Sequence, residues 1–466
     1  MILKNKNLIY LILFIAFLFN ALDAFSIFGI PFPWLSTAIF ILLFINFFID
    51  EKFKISSLTS QYFFWTLYCI CITLIFLFFQ YETLMTNSVA NPLLYVSLRL
   101  LNFFSFFSII YSVNKILNND NTNKIIELIS YASIIISILS LISYFSYVMN
   151  FPDLARNRMG TGIGFQSIVK ACTVLRNYGT FREPSFLAIW IAPTIPLYFY
   201  NAREKKYWYV LSLLPITCLV LTRSLNGVLS FIIAAFLVFM LSSYKLSKLN
   251  LQLLIPIFVL ITCLVFSNLF AYKFPPLDED QCPPYSPDYC SCEYYDDDQD
   301  RAKNSTNIAT SIFSRLFAVI NSGIGSFESL NIVRENIYEN NISILGSGLG
   351  ISNIKFSDNY ALNKTQASLQ YSIRNGVIIE RYENSIVSFN NLYLNILFST
   401  GIFGIAWLIL LLIRTLKNLP VDRSQYNQYL NMGIFVILIM YFFQGEEFSV
   451  WLATFIGLFL SEKKNV

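Results

Sequence analysis

The chain has 466 residues, of which 56% are apolar and only 13% charged. A soluble globular protein carries about 25% charged residues, so that class is excluded. The net charge is a modest +4, and histidine is absent. The commonest general base and the commonest transition-metal ligand are thereby removed from any chemistry the chain performs.

Apolar runs long enough to cross a bilayer as helix, about 17–25 residues, follow one another along the sequence. The first, Leu8–Ile30, comes after Lys4 and Lys6. It is long for a signal peptide and carries Asp23, so it reads as a retained helix. Further spans are expected at Trp34–Phe48, Phe63–Phe79, Leu93–Val113, Ile125–Val148 and Ser185–Tyr200. The series continues with Tyr207–Leu221, Val228–Ser243, Leu251–Tyr272, Leu392–Ile413, Leu430–Phe443 and Phe448–Leu460. The expected fold class is therefore an all-α polytopic integral membrane protein with about twelve transmembrane helices. Several spans are short, which leaves room for tilted or half-spanning segments.

Cation bias sets orientation, weighted towards short loops. With the N-terminus inside, the short inside loops carry Lys52/Lys54, Lys115/Lys124, Arg203/Lys205/Lys206, Lys245/Lys248 and Arg414/Lys417/Arg423. Both termini are then expected in the cytoplasm. The chain divides into 1–149 (five helices), a loop at 150–184, 185–272 (four helices), a large, partly helical outside loop at 273–389, and 390–466 (three helices). In the large loop, Ile312, Phe313, Leu316, Phe317, Ile320, Ile324 and Phe327 recur on one side of a helix. Arg315 falls on the other side, among serines.

The cations sort by type. Inside loops hold thirteen lysines and three arginines, whereas outside loops hold five lysines and ten arginines. Arg99 stands alone in the fourth span. Arginine's planar fork binds phosphate or carboxylate bidentately and tolerates partial burial. The outside arginines either pair with the loop's own acids, such as Asp296–Asp298, or recognise an anion. For Arg176 and Arg182, at a helix mouth, recognition is the better reading. Asp23 and Arg99 either pair with each other, line a cavity or sit near an interface. Cys282, Cys290 and Cys292 cluster in the large loop, where a local disulfide is favoured over a metal site. No metal site is expected. Gly346-Ser-Gly348-Leu-Gly350 reads as a tight turn rather than a nucleotide cradle.

The stretch Arg176-x-x-Gly179-x-Phe181-x-Glu183-Pro184 ends the 150–184 loop and leads into a membrane helix. Gly179 suits a tight bend or close approach, and Pro184 the first helical turn. This pattern resembles the signature of bacterial O-antigen polymerases of the Wzy type, in the O-antigen polymerase/ligase superfamily. Leu221-Thr-Arg223-Ser224, Ser314-Arg315, Gly346–Gly350 and Asn390-Asn391-Leu-Tyr393-Leu with Gly401-Ile-Phe-Gly404 resemble the family's later features in order. Ligases resemble the last motif but carry a histidine just before the asparagine. Here Asn390 stands in that place, which favours polymerase over ligase.

The resemblance implies a GT-C-like membrane glycosyltransferase of the bacterial inner membrane, independent of metal and cofactor. It would join glycan repeat units carried on undecaprenyl diphosphate, at the periplasmic face, in O-antigen and lipopolysaccharide biosynthesis. Membrane lipid, a chain-length regulator and a flippase are the implied partners, and nucleic acid is not. Arg176, Arg182, Arg223 and Arg315 would bind the diphosphate. Asn390, Asn391 and Tyr393 would position acceptor or glycan. Glu183 is either the base for the acceptor hydroxyl or a counter-ion of Arg176 or Arg182 that fixes the loop. A ligase, or a flippase for the same lipid-linked glycan, is the competing expectation.

Overall fold

Helix follows helix from Lys6 to Leu460 in the computed structural model. It describes residues 5–50, 56–86, 92–119, 122–149, 151, 156–158, 175–246, 251–267, 269, 271–272, 343–354, 371–374, 377–380, 391–417, 425–443, 445 and 448–460. Among these, six helices are long and apolar enough to cross a membrane. They are α2 (Phe32–Asp50), α3 (Ser57–Thr86), α4 (Pro92–Asn119), α5 (Thr122–Val148), α10 (Leu225–Leu246) and α12 (Leu392–Lys417). Shorter apolar helices accompany them: α1 (Lys6–Ala21), α8 (Tyr207–Leu211) with α9 (Leu213–Leu221), α11 (Ile255–Ser267), α13 (Gln425–Phe443) and α14 (Val450–Leu460). The long helices are apolar outside as well as inside. Leu42, Phe64, Phe78, Ile142, Phe236 and Leu410 are all exposed, as a lipid-facing surface requires. The protein is an all-α, membrane-embedded chain.

Proline breaks one expected span. Pro193 and Pro196 each lack the donor an α-helix needs. The expected span Ser185–Tyr200 is accordingly α6 (Pro184–Ile191), a 3-10 turn at Ala192–Thr194 and α7 (Ile195–Asn201). The expected span Leu8–Ile30 is corrected more substantially. Helix α1 stops at Ala21, and a two-residue hairpin of β1 (Ser26–Ile27) and β2 (Ile30–Pro31) leads into α2. Phe28 and Gly29 both have positive φ at its tip. Asp23 thus lies in a turn at the bundle's end and not within a span.

Helix α5 supplies a seam of buried serines one helical turn apart, and four neighbours dock on it. Tyr198 and Asn201 of α7 bond to Ser130 at 3.0 and 2.9 Å. The Thr194 and Ser133 hydroxyls lie 2.8 Å apart. Cys218 of α9 donates to the Ser137 carbonyl. Ser140 receives the backbone of Gly179. Small residues let helix backbones approach closely where lipid provides no hydrophobic drive.

Helix α12 is kinked at Gly401, with φ 72° and ψ −176°. In a continuous helix the Phe398 and Ser399 carbonyls would accept from the amides of Ile402 and Phe403. Here those amides donate to Ser343 and Ile344, and the freed carbonyls accept from Ser347 and Gly348, at 2.8–3.3 Å. All four displaced groups are therefore satisfied by the 343–348 segment, as non-helical backbone inside a membrane protein demands. A Cβ on Gly346 or Gly401 would overlap the opposing backbone. The glycine-rich stretch is thus a tight turn, and its partner is a broken helix. Elsewhere in the large loop, β3 (Tyr371–Arg374) and β4 (Val377–Glu380) pair antiparallel. Arg315, the expected helix around it, Asn390 and Cys282, Cys290 and Cys292 lie outside the described residues.

Candidate functional site

The stretch 175–183 folds as a turn pressed into the end of the bundle. Its apolar and amide side chains point in: Asn177, Tyr178, Thr180 and Phe181 are all buried. Arg176, Arg182 and Glu183 between them are only half-buried. Four sets of backbone contacts seat the turn. Leu175 N donates to the Tyr272 carbonyl, Asn177 N to Leu221, and Ala24 N to Thr180, at 2.8–3.0 Å. The Thr180 hydroxyl donates to the Ala21 carbonyl at 2.7 Å. Gly179 has φ +50°, and a Cβ there would overlap the Ser140 side chain and approach its Cα to 2.9 Å. Only glycine allows both the bend and the approach. Pro184 begins α6 with Glu183 as N-cap, as the proline predicts.

Two more arginines and a carboxylate join from other loops. Asn157 is laid against Ser26 of the hairpin by paired bonds. This places its neighbours on the motif. Arg158 ion-pairs with Asp23, which also accepts from Arg182 Nε at 2.8 Å. Arg156 donates to the Gly179 carbonyl and to Ser143 Oγ, both at 2.9 Å, and covers the Tyr178 ring at 4.1 Å. Asp23 therefore pairs with Arg158 and Arg182, and not with Arg99. The sequence singled out Asp23 but not its partners Arg158 and Arg182, because the first helix was expected to run on to Ile30. Phe28-Gly29 between Pro31 and the polar Asp23 was the signal for a turn.

Arg223 sits in the turn between α9 and α10, where Thr222 and Ser224 are capping residues. Ser224 N donates to Thr222 Oγ1 at 3.1 Å, and Gly227 N to Ser224 Oγ at 3.4 Å. Arg223 has φ +51° and is only 2% exposed. A non-glycine residue in the left-handed region costs about 1 kcal/mol, and such strain gathers at functional sites. Arg176 Nε donates to the carbonyl of Thr222, immediately before Arg223, at 2.9 Å. Arg223 in turn lies within electrostatic reach of Tyr144 on α5. The structure thus brings Arg176, Arg182 and Arg223 to one end of the bundle.

Glu183 forms no ion pair among the described residues; its carboxylate accepts only from Ser185 Oγ, at 3.2 Å. Burial pushes its pKa above the ordinary glutamate value, and the Ser185 bond and the Arg182 and Arg176 charges only partly offset that. Asp23 adds to the rise. A carboxylate that is near arginines but bonded to none, with raised proton affinity, is suited to take a proton. Among the described residues the cluster holds five guanidinium groups and two carboxylates. Such a surplus attracts anions.

The later motif is placed differently. Asn391 caps α12, accepting from Leu394 N, while its amide donates to the Phe442 carbonyl at 2.9 Å. Tyr393 donates to the Leu438 carbonyl and packs on Phe442. Both side chains lock α12 to α13. Beside the arginine turn, Trp451 of α14 donates to the Trp190 carbonyl, and Trp190 lies against Phe181 of the motif. Among the described residues no three carboxylates or thiols gather as a metal site would need. Comparison with known proteins finds no matching family model, curated protein or solved structure.

Proposed function

We propose that the chain is a glycosyltransferase of the inner membrane that polymerises glycan repeat units carried on undecaprenyl diphosphate. The observation that carries this reading is the gathering of Arg176, Arg182 and Arg223, from two separate turns, at one end of the bundle, with Glu183 beside Arg176 and Arg182 and ion-paired to neither among the described residues. The chemistry needs both halves of that arrangement. The acceptor hydroxyl attacks the anomeric carbon of the donor chain, the bond from that carbon to the diphosphate oxygen breaks, and the proton passes to Glu183. The departing diphosphate gathers charge that the guanidinium groups stabilise. Arg315, outside the described residues, completes the set in this reading, and Asn390 belongs to the acceptor side.

In the same reading the chain crosses the membrane twelve times. The six long helices, the five shorter apolar ones and the interrupted α6–α7 segment supply the spans, with both termini in the cytoplasm. The arginine cluster then faces the periplasm, where nucleotide sugars are absent and the substrate must arrive activated. Deleting the gene and resolving the surface glycan on a gel tests the function. A polymerase leaves core plus a single repeat unit. Bare core with accumulated lipid-linked chains would mark a ligase, and repeat units trapped in the cytoplasm a flippase. Arg176→Ala is expected to reproduce the single-repeat pattern, since removing one such donor costs about 3–4 kcal/mol of transition-state stabilisation. A wild-type ladder in that variant overturns the site.

A further inference from the structure

The arginines at this end of the bundle are fastened in different ways. Arg156 staples the turn: its Nη2 bonds to Ser143 Oγ and to the Gly179 carbonyl, and its guanidinium lies over the Tyr178 ring. Arg158 is committed to Asp23, through the carboxylate and through the carbonyl at 2.9 Å, and its own amide donates to the Ala24 carbonyl at 3.2 Å. Arg182 is held at one corner. Its Nε donates to Asp23 Oδ2 at 2.8 Å, its backbone amide reaches the same oxygen at 3.4 Å, and its Cζ lies 5.4 Å from the centre of the Phe186 ring of α6. Among the described residues its two Nη groups make no hydrogen bond, and its side chain is 33% exposed against 12% for Asp23. A guanidinium gripped at Nε still offers Nη1 and Nη2 as a fork that matches two oxygens of a phosphate.

A carboxylate paired with a single arginine cancels the charge that an anion site needs. Asp23 is shared by two arginines, so the trio retains a net positive charge. Asp23 itself has little freedom. It follows the end of α1, Phe25 N donates to the Leu22 carbonyl at 3.1 Å across it, and Ala24 N is bonded to the Thr180 carbonyl of the motif. A fixed acceptor that another cation already neutralises aims an arginine without cancelling it. We propose that Asp23 and Arg158 are positioning residues for Arg182. Asp23 fixes the guanidinium through Nε, Arg158 neutralises Asp23, and the Nη fork of Arg182 is thereby held, still charged, for the diphosphate of the lipid-linked substrate. Neither positioning residue touches that substrate. The proposal rests on the polymerase reading of the arginine cluster.

The test sets position against charge. Full-length protein in phosphatidylcholine nanodiscs is titrated with undecaprenyl diphosphate, dissociation constants are read by native mass spectrometry, and the melting midpoint of each variant is recorded. By Coulomb's law alone, removing a negative charge beside an anion site tightens binding. Positioning demands the opposite: Asp23→Asn is expected to weaken binding about tenfold, because the charged hydrogen bond that orients the fork is lost. Arg182→Gln is expected to weaken it at least as much, and the double variant no further than Arg182→Gln alone. Arg158→Gln is expected to weaken binding only while Arg182 is present, and Arg158→Lys to stay within about threefold of wild type, since the counter-charge survives. Unchanged or tighter binding by Asp23→Asn, or losses that add in the double variant, would overturn the positioning pair. If Asp23→Asn does not fold, the cycle of Arg158→Gln with Arg182→Gln decides the same question. Weakened binding by Arg176→Ala beside wild-type binding by Asp23→Asn leaves the reading of the cluster standing and removes the proposal. Wild-type binding by both Arg176→Ala and Arg182→Gln, or displacement of the probe by equimolar phosphatidylglycerol, overturns the reading itself.

Discussion

Glu183 carries a conflict between stability and chemistry that can be measured. Its folded pKa is raised by burial, so the folded chain holds that proton more tightly than the unfolded chain does. Below the unfolded value both states are protonated and nothing is lost. As pH rises through the folded value, Glu183 costs the fold stability, and that cost persists at neutral pH. Glu183→Gln is therefore expected to raise the thermal midpoint at pH 7 while abolishing polymer. A lowered midpoint would show that the carboxylate holds the loop together. As a base it works only when deprotonated, so wild-type activity falls as pH drops through a value above the ordinary glutamate range. Activity assayed against pH should show that acid limb. The arginines around it were visible in the sequence because their type departs from the lysines of the inside loops. The pairing of Asp23 with Arg182 and Arg158 was not, since hydropathy alone does not separate a helix end from an apolar turn.

Among the elements, the serine seam of α5 is what seats the motif. Ser130, Ser133, Ser137 and Ser140 are all buried, yet serine at helical spacing within an apolar run gives no hint of which neighbours it receives. Gly179→Ala is expected to cost roughly 2–5 kcal/mol, from overpacking against Ser140 together with left-handed strain. Adding Ser140→Gly removes the colliding side chain but not the strain, so the double variant should recover part of the loss. A double-mutant cycle on detergent melting curves measures the coupling, and strict additivity would refute the contact. Gly179 and Pro184 themselves were legible, because a bend and a first helical turn restrict residue choice locally. The α12 kink was not: Gly401 and Gly404 sit in an apolar run, and the partner segment 343–348 is more than 50 residues upstream.

At the scale of the whole molecule, polar groups collect at two ends of an apolar bundle. One end holds the Asp23 and arginine network, and the other holds Tyr200, Asn123 and Glu204, joined by bonds of 2.8 Å. The proposed orientation puts the first end in the periplasm. Alkaline phosphatase inserted at the Phe28–Gly29 tip should then be active and at Arg203–Glu204 inactive, with a cytoplasmic reporter giving the converse. Equal activity at both insertions would refute the topology. The succession of apolar helices was readable from hydropathy, because lipid imposes one demand on every residue that faces it. The breaks within them followed only where proline marked the site, as in α6–α7.

The stitched kink also constrains how the chain is built into the membrane. The segment 343–348 leaves the ribosome before α12 does, and its backbone partners do not yet exist. When α12 enters the bilayer, two amides and two carbonyls at Gly401 have no partner within the helix, and in lipid each such group costs several kcal/mol. The helix reaches its final form only when the earlier segment meets it. The last three helices are therefore expected to complete their insertion as a late, joint step with that segment, and not one by one in order of synthesis.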